Sequence, residues 1–302
     1  MSGAATASST PARRLEGAPF ASEIRDRVAA EVADYVAAHG FPPGLAVVVC
    51  GRSAPSMVYL ERILKACAQV GIEGSLVDVE GEDAATQARE LTAAIHRLNA
   101  EPRVAGIIVQ MPLPAGVGLR TVIDAIEPLK DIDGIHPLNA GLLRLGYEGF
   151  IPATAHAALE MIHRSGVTVA GADAVVVGRS PVVGMPLAFI LTKEDATVTV
   201  CHSKTRDLAA KVRAADIVVV AAGSPGLVTG AMIKPGAVVI DVGINVVDGR
   251  IVGDVDFASV EPVASAITPV PGGVGPLTNA LLLSHLMRAA QRQDQAKERF
   301  EA

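Results

Sequence analysis

The chain has 302 residues, half of them hydrophobic and 19% charged, with no tryptophan and a formal net charge of −6. That length allows two domains of ordinary size, each with its own core, and the acidic balance argues against nucleic-acid or anionic-membrane partners. No apolar run approaches the roughly 18 residues that span a bilayer, and Cys50, Cys67 and Cys201 form no CxxC pair, which points to a reducing, cytoplasmic setting.

The chain opens with the small, polar run MSGAATASSTPA, so residues 1–14 are expected to be disordered; Arg13 and Arg14 behind it make a transit peptide the lesser reading. Apolar positions at Phe20, Ile24, Val28, Val32 and Val36 predict a helix over 19–38, ended by Gly40. Residues 45–49 read as a buried strand, 51–55 as its loop, and Ser56 as the N-cap of a helix reaching about Val70. Strand–helix pairs follow at 75–79 with 84–98 and at 104–109 with 119–126, the alternation of a parallel α/β sheet. The polar segment 128–141, PLKDIDGIHPLNAG, is too irregular for an element and too rich in Asp, His and Asn for a plain linker. A boundary is expected near 148–152, before a helix over ATAHAALEMIHRSG.

A second α/β run begins at Ala174. Strands at 174–177, 196–200, 217–221, 238–242 and 266–268 are nearly continuous in Val and Ile, which predicts burial on both faces of a doubly wound sheet. The loop PVPGGVGP, 269–276, leads into an amphipathic helix over 277–290 expected to pack back on the first domain, and 291–302 reads as a frayed tail.

Residues 174–205 form the unit strand, glycine turn, helix, strand, which places phosphate at a helix N-terminus. The glycines are spaced Gly178-x5-Gly184, so the common G-x-G-x-x-G fingerprint is absent. An NAD site carries an acid about 20 residues past the first glycine to hold the ribose 2′-OH; none stands at 198–202. Instead the second strand ends in His202, Ser203, Lys204 and Thr205, and the glycine turn carries Arg179 and Ser180. Cations and hydroxyls at both places favour a 2′-phosphate, hence NADP. Either cation alone is as readily an ordinary surface charge. Gly223, Ser224 and Pro225 fit a turn at the nicotinamide-side ribose, or a plain β-turn. The seven histidines fall singly, without zinc spacing, so no metal is expected.

GRSPVVGMP with ATVTVCHSKT, IKPGAVVIDVGIN, GDVDF and TPVPGGVGPLT, together with GIIVQMPLP, PLKDIDG and SMVYLERILKACAQVGI, closely resemble the methylenetetrahydrofolate dehydrogenase/methenyltetrahydrofolate cyclohydrolase family over about residues 15–290. The resemblance implies a two-domain α/β enzyme with a cleft between an N-terminal folate-binding catalytic domain (15–149, completed by helix 277–290) and a C-terminal Rossmann-like NADP domain (150–276). It also implies a homodimer and a tetrahydrofolate one-carbon substrate. Position by position, it implies that Tyr59 closes over the folate rings, that Gln110 hydrogen-bonds the catalytic lysine and that Asp133 binds the pterin. Pro271, Gly272 and Gly273 would line the folate side. It places the cofactor against Gly178, Arg179, Ser180, Val183, Gly184, His202, Ser203, Thr205, Gly223 and Ile244. Taken singly, Tyr59 is a half-buried helix residue, Asp133 a turn residue and Gln110 a strand-end hydrogen-bonder; only their joint occurrence carries the assignment.

Two departures matter. Family members carry lysine four residues after the tyrosine, on the same helix face; here that position is Ile63. Lys65 lies about 240° round from Tyr59 and matches a different lysine. Arg62 is close to the face, but a guanidinium stays protonated; Glu61 faces elsewhere. The second departure is PATAHA at 152–157, where Ala153, Ala155 and Ala157 replace the family's cysteine, proline and glycine. The cofactor motifs are intact. The expectation is therefore NADP-dependent oxidation of methylenetetrahydrofolate with cyclohydrolase weak or absent. A fully bifunctional enzyme and a non-catalytic folate- or NADP-binding paralogue are the alternatives.

Overall fold

The structure is a computed structural model that describes residues 11–51 and 54–301, and for 54–59 and 299–301 the backbone path alone. Its elements run β1 (Arg13–Arg14), α1 (Gly17–His39), β2 (Gly44–Cys50), α2 (Ala54–Val70), β3 (Glu73–Val79), α3 (Ala84–Ala100), β4 (Val104–Val109), α4 (Arg120–Ile123) and α5 (Pro137–Leu145). They continue with α6 (Ala153–Ser165), β5 (Asp173–Val177), α7 (Gly184–Lys193), β6 (Thr197–Cys201), α8 (Leu208–Arg213), β7 (Ile217–Val220) and β8 (Val238–Asp241). The last are β9 (Asn245–Val247), β10 (Arg250–Val252), α9 (Phe257–Val260), β11 (Ala266–Ile267) and α10 (Val274–Glu301). Two compact units divide the chain. Ser22–Leu142, Glu148–Ile151 and the residues from Asn279 onward form the first; the residues up to Ala21, Leu143–Tyr147 and Pro152–Thr278 form the second.

In the first unit, β3-β2-β4 make a parallel sheet with β2 in the centre. All seven residues of β2, GLAVVVC, are buried, as a central parallel strand covered on both faces requires. Asp83 starts α3 by accepting the Thr86 N–H at 2.8 Å, the geometry of an N-cap, and Leu91, Ala94 and Ile95 turn inward. Beyond α4 the chain returns to the sheet, where the Ile107 N–H donates to the Lys130 carbonyl at 2.7 Å. Helix α10 approaches β4 at Gly106, where an added Cβ would meet Leu286 Cδ1 at 2.6 Å and Ile132 Cγ2 at 2.7 Å. In the second unit six strands lie parallel in the order β1-β11-β8-β7-β5-β6. Val175, Val177, Val218, Val220, Val239 and Ile267 fill one core.

Several boundaries differ from the sequence expectation. Arg13 and Arg14, expected within a disordered arm, pair with β11, and the flanking amides of Ala12 and Leu15 donate to the Glu261 and Ile267 carbonyls. Residues 1–10 lie outside the described residues. The helix expected to be capped by Ser56 already runs from Ala54, and the one expected over 119–126 shrinks to α4. The irregular 128–141 segment ends in α5, whose first residue is Pro137, a position where its fixed φ suits a helix. Helix α10 starts at Val274, inside the expected loop, and tolerates Pro276 in its first turn. Residues 291–301, expected to fray, stay helical, and the first turn of this stretch is anchored by its side chains. Arg292 Nη2 meets Glu148 Oε2 at 2.8 Å, Gln293 donates to the Ala105 carbonyl at 2.7 Å, and Asp294 meets His39 at 3.1 Å.

Phe150, 1% exposed, is the largest fully buried side chain among the described residues. Its ring lies 5.4 Å from the Arg292 guanidinium and 6.2 Å from the His285 ring. Phe150→Ala should cost about 3–5 kcal/mol, the range for deleting a buried aromatic ring, read as a lowered urea midpoint. A loss within about 0.5 kcal/mol of zero would show that α10 is not held there.

Candidate functional site

In the second unit the chain passes from β5 to β6 on one side and then returns to set β7 on the other. Ligands of open α/β sheets bind outside the strands' carboxyl ends at such a reversal. Val177 is level with Cys201 and with Val220, so turns 178–183, 202–205 and 221–225 emerge side by side. Gly178 has φ 135°, and a Cβ there would overlap the Ala221 carbonyl oxygen; a Cβ on Gly184 would overlap the Gly178 carbonyl. Ser180 leads this turn into α7. Its Oγ accepts the Val183 N–H at 3.1 Å and the Gly184 N–H at 3.5 Å, and its carbonyl accepts the Met185 N–H at 3.1 Å.

The neighbouring turn is closed by His202 and Thr205. The His202 N–H donates to Thr205 Oγ1 at 2.8 Å, and the Thr205 N–H returns to the His202 carbonyl at 2.8 Å. Ser203 and Lys204 are left exposed at its tip, beside exposed Arg179. The first carboxylate downstream, Asp207, caps α8 by accepting the Ala210 N–H at 3.1 Å. One glycine turn with no room for side chains, next to a second turn that offers hydroxyls, with a cation on each, fits a dinucleotide bearing a 2′-phosphate.

Across the reversal, turn 222–224 is held from within. Asp254, 0% exposed, accepts the N–H groups of Ala222 (2.6 Å) and Gly223 (2.8 Å) on Oδ2, and that of Ser224 (2.8 Å) on Oδ1. Asn245 Nδ2 donates to the same Oδ1 at 2.8 Å. Asp254 is itself tied down by Asp241, 3% exposed. Asp241 Oδ1 accepts the Gly243 N–H (2.9 Å) and the Asp254 N–H (3.0 Å), while Oδ2 accepts the Val255 N–H (3.0 Å). Burial pushes the Asp241 carboxyl up to about 6, against three N–H donors that favour its charged form. Side chains at Gly243 and Gly253 would overlap these two carboxylates.

In the first unit the reversal lies between β2 and β4, whose carboxyl ends deliver α2 and Gln110. The Gln110 N–H donates to the Val48 carbonyl at 2.8 Å, and its Nε2 to the Met111 carbonyl at 2.5 Å. A parallel bridge between Ile107 and Asp131 runs segment 130–133 toward the same end of the sheet, so Asp133 and Gln110 share it with the first turns of α2. The segment around Asp133 is heavily anchored. Buried Lys130 donates from Nζ to the Leu98, Asn99 and Glu101 carbonyls at 3.0, 2.8 and 2.8 Å. These lie at the negative end of α3, where a cation is favoured. Burial lowers Lys130 to about 8. Asp131, fully buried and raised by that burial, accepts the His136 N–H (2.8 Å), the Ile135 N–H (3.2 Å) and Asn139 Nδ2 (2.9 Å). His285 Nδ1 lies 3.1 Å from the Ile132 carbonyl. Asp133 keeps some contact with solvent, yet desolvation first, and the Asp131 charge second, raise its carboxyl to about 6.

The structure therefore gathers Gly178, Arg179, Ser180, Val183, Gly184, His202, Ser203, Thr205 and Gly223 at one end of one sheet. Ile244, three residues beyond the end of β8, is 69% exposed. Gln110 and Asp133 gather in the other unit. Pro271, Gly272 and Gly273 belong to the second unit, where the Gly273 N–H closes on the Pro269 carbonyl and the Gly272 carbonyl accepts the Gly17 N–H, both at 2.8 Å. Tyr59 is on α2, with its side chain outside the described residues. Sequence reasoning passed over Lys130, Asp131, Asp241 and Asp254, whose burial is what sets them apart from ordinary turn residues. Among the described residues no group of three or more His, Cys, Asp or Glu could hold a metal ion, and no helix is long and apolar enough to cross a membrane.

Two α/β units, one of them an open parallel sheet with a glycine turn at its reversal, define a dinucleotide-binding protein of the doubly wound class. Residues 15–133 match the catalytic-domain model of tetrahydrofolate dehydrogenase/cyclohydrolase, and residues 152–294 match that family's NAD(P)-binding-domain model. The chain belongs to the tetrahydrofolate dehydrogenase/cyclohydrolase family. It is 50% identical over 282 residues to the bifunctional protein FolD of Bordetella avium, covering 93% of this chain and 98% of that one. Among solved structures, the methylenetetrahydrofolate dehydrogenase of the silkworm Bombyx mori aligns with a TM-score of 0.88 at 39% identity, over 94% of this chain and 99% of the other. The dehydrogenase-cyclohydrolase of Trypanosoma brucei, complexed with NADP and an inhibitor, gives the same TM-score, identity and coverages.

Asp133 gives this site a pH signature. A carboxyl raised from about 4 unfolded to about 6 in the fold favours the protonated folded chain. Its contribution to stability is thus lost as pH rises from about 4 to about 6, by roughly 2–3 kcal/mol. Asp133→Asn removes that loss. Urea unfolding should show the variant gaining on wild type by roughly 2 kcal/mol between about pH 4.5 and about pH 7.5; a constant difference would contradict the burial of this carboxyl.

Proposed function

We propose that the chain oxidises 5,10-methylenetetrahydrofolate to 5,10-methenyltetrahydrofolate with NADP, and that it hydrolyses the methenyl product weakly or not at all. The observation that carries the second half is Ile63. It occupies the position, one helical turn from Tyr59, where the resemblance expects lysine, and it is 1% exposed. An amine so desolvated would have a lowered pKa and could shuttle protons near neutral pH; an isoleucine cannot. Arg62 and Lys65 are exposed instead. The close relatives named bifunctional favour the second reading, an enzyme of both activities, and Ile63 is what weighs against it.

Bound NADP supplies the hydride acceptor. The chain's share is to hold two ring systems in register, which by itself lowers the barrier substantially. Folate binding is assigned to residues 15–149 with helix 277–290, where Tyr59 covers the rings, Asp133 holds the pterin and Gln110 stands where the resemblance expects the hydrogen-bond partner of the lysine; Pro271, Gly272 and Gly273 are assigned to folate by the resemblance alone. The cofactor is assigned to 150–276. Gly178, Ser180, Val183 and Gly184 admit its phosphates, Arg179, His202, Ser203 and Thr205 favour the 2′-phosphate, and Gly223 and Ile244 flank the nicotinamide half. The T. brucei relative's NADP and the cations at 179 and 204 support NADP over NAD. The setting we assign is the cytoplasm.

The working form is read as a homodimer joined through the β9–β10 hairpin. This two-stranded ribbon exposes Val246, Val247 and Ile251, at 74, 40 and 44%. An isolated apolar ribbon is marginal alone and invites a second copy. Val246→Asp with Ile251→Asp should shift light-scattering mass from dimer to monomer; a wild-type monomer would refute the assignment.

The activity is tested by restoring the amine. Ile63→Lys should raise methenyl hydrolysis by about 10²–10⁴-fold while dehydrogenase rate with NADP persists. Wild-type hydrolysis already at the variant's rate would favour the bifunctional reading, and NADP binding without hydride transfer would favour a non-catalytic paralogue.

A further inference from the structure

We propose that Asp254 is a positioning residue for the dinucleotide: its carboxylate fills the anion nest of turn 222–224, fixing that turn and confining the cofactor's pyrophosphate to turn 178–184. The inference rests on the reading that a dinucleotide binds at this reversal.

Successive backbone N–H groups that converge on one point form a nest that captures anions such as phosphate. The amides of Ala222, Gly223 and Ser224 converge in this way, at the carboxyl end of β7 and directly across from the glycine turn. Left open, they would compete with turn 178–184 for phosphate. Asp254 occupies them all at 2.6–2.8 Å from a fully buried position. A phosphate approaching this turn would meet a carboxylate whose charge is already committed, and no donor left for it on these three amides. The turn can then offer its outer face, Gly223 to Pro225, to a sugar or an amide but not to a phosphate.

The same contact fixes the glycine turn. Ala221 precedes the nest, and its carbonyl oxygen is the atom that leaves no room for a Cβ on Gly178. A shift of turn 222–224 therefore moves the surface against which the phosphate turn rests. Asp254 has little freedom to drift. Asp241 holds its N–H, Asn245 holds Oδ1, and the Gly226 N–H and Val228 N–H bond to the carbonyls of Gly253 and Asp254 at 3.3 and 3.1 Å. The motifs IDVG and GDVDF, without an evident role in the chemistry, thus become the support of the cofactor loop.

The test uses the full chain and NADPH fluorescence, which reads binding without turnover. Asp254→Ala leaves the three amides facing a space shaped for a small carboxylate. It should weaken NADPH binding by about tenfold or more, speed hydrogen exchange at 222–224, and be restored toward wild type by formate, which should leave wild type unaffected. Asp254→Asn, which keeps one acceptor oxygen, should weaken binding in the same direction but less and resist rescue; it serves alone if the alanine variant does not fold. NADPH affinity within about twofold of wild type in a folded variant would overturn the proposal. So would formate that raises the melting temperature without restoring affinity. A wild type that binds NADPH yet oxidises no folate would sink the proposed reaction and leave this inference standing, whereas a wild type that binds no NADPH would overturn both.

Discussion

At the carboxyl ends of β5 and β7 two stretches of backbone pass so closely that no side chain fits between them. Gly178 and Ala221 make that contact, and both neighbouring turns depend on it. Close approach of main chain brings peptide N–H groups together, and such groups must find partners when removed from water. Ser180 answers for Val183 and Gly184, Thr205 for His202, and Asp254 for Ala222, Gly223 and Ser224. The carboxyl end of this sheet is thus a set of turns satisfied from inside, with the cations Arg179 and Lys204 left exposed at the outer tips. The exposed cations and the carboxylate that holds a loop are different residues.

The first unit solves a related problem with the opposite exposure. Segment 130–136 runs along the edge of β4, and its polar groups are buried rather than solvated. Lys130 caps the end of α3, Asp131 collects two amides and Asn139, and the Ile132 carbonyl faces His285 on α10. Each buried charge is costly alone and tolerable only with its partners. Asp133 is the member of the set that retains contact with solvent, and its carboxyl is raised to about 6 by desolvation and by the Asp131 charge.

Much of this was legible beforehand because buried parallel strands write themselves as Val and Ile runs. All of β4 and nearly all of β5, β7 and β8 could be read from such runs. Other features lacked a local signal. The two-residue strand β1 is defined by pairing, not composition, and the end of α10 is held by Glu148, His39 and Ala105, residues far off in sequence. The β9–β10 hairpin had a signal that went unread: Asp248 and Gly249 both take positive φ, the Asp-Gly turn that joins antiparallel strands. The glycine turn at 178–184 was readable from glycine spacing. Asp241 and Asp254 were not, because an acid at a strand end reads as a solvated turn residue until burial shows otherwise. Ile63 was visible only as an apolar residue in an amphipathic helix; its meaning depends on the family to which the chain belongs.

The central claim is that hydride transfer and methenyl hydrolysis are separated in this chain, the first kept and the second weak or absent, through one helix position. The direct measurement is a single time course from methylenetetrahydrofolate and NADP, following NADPH, methenyl and 10-formyl products together in a buffer whose own hydrolysis rate is known. Methenyl should accumulate one for one with NADPH and decay only at the buffer rate. Formyl product rising with NADPH, with methenyl held at a low steady level, would contradict it.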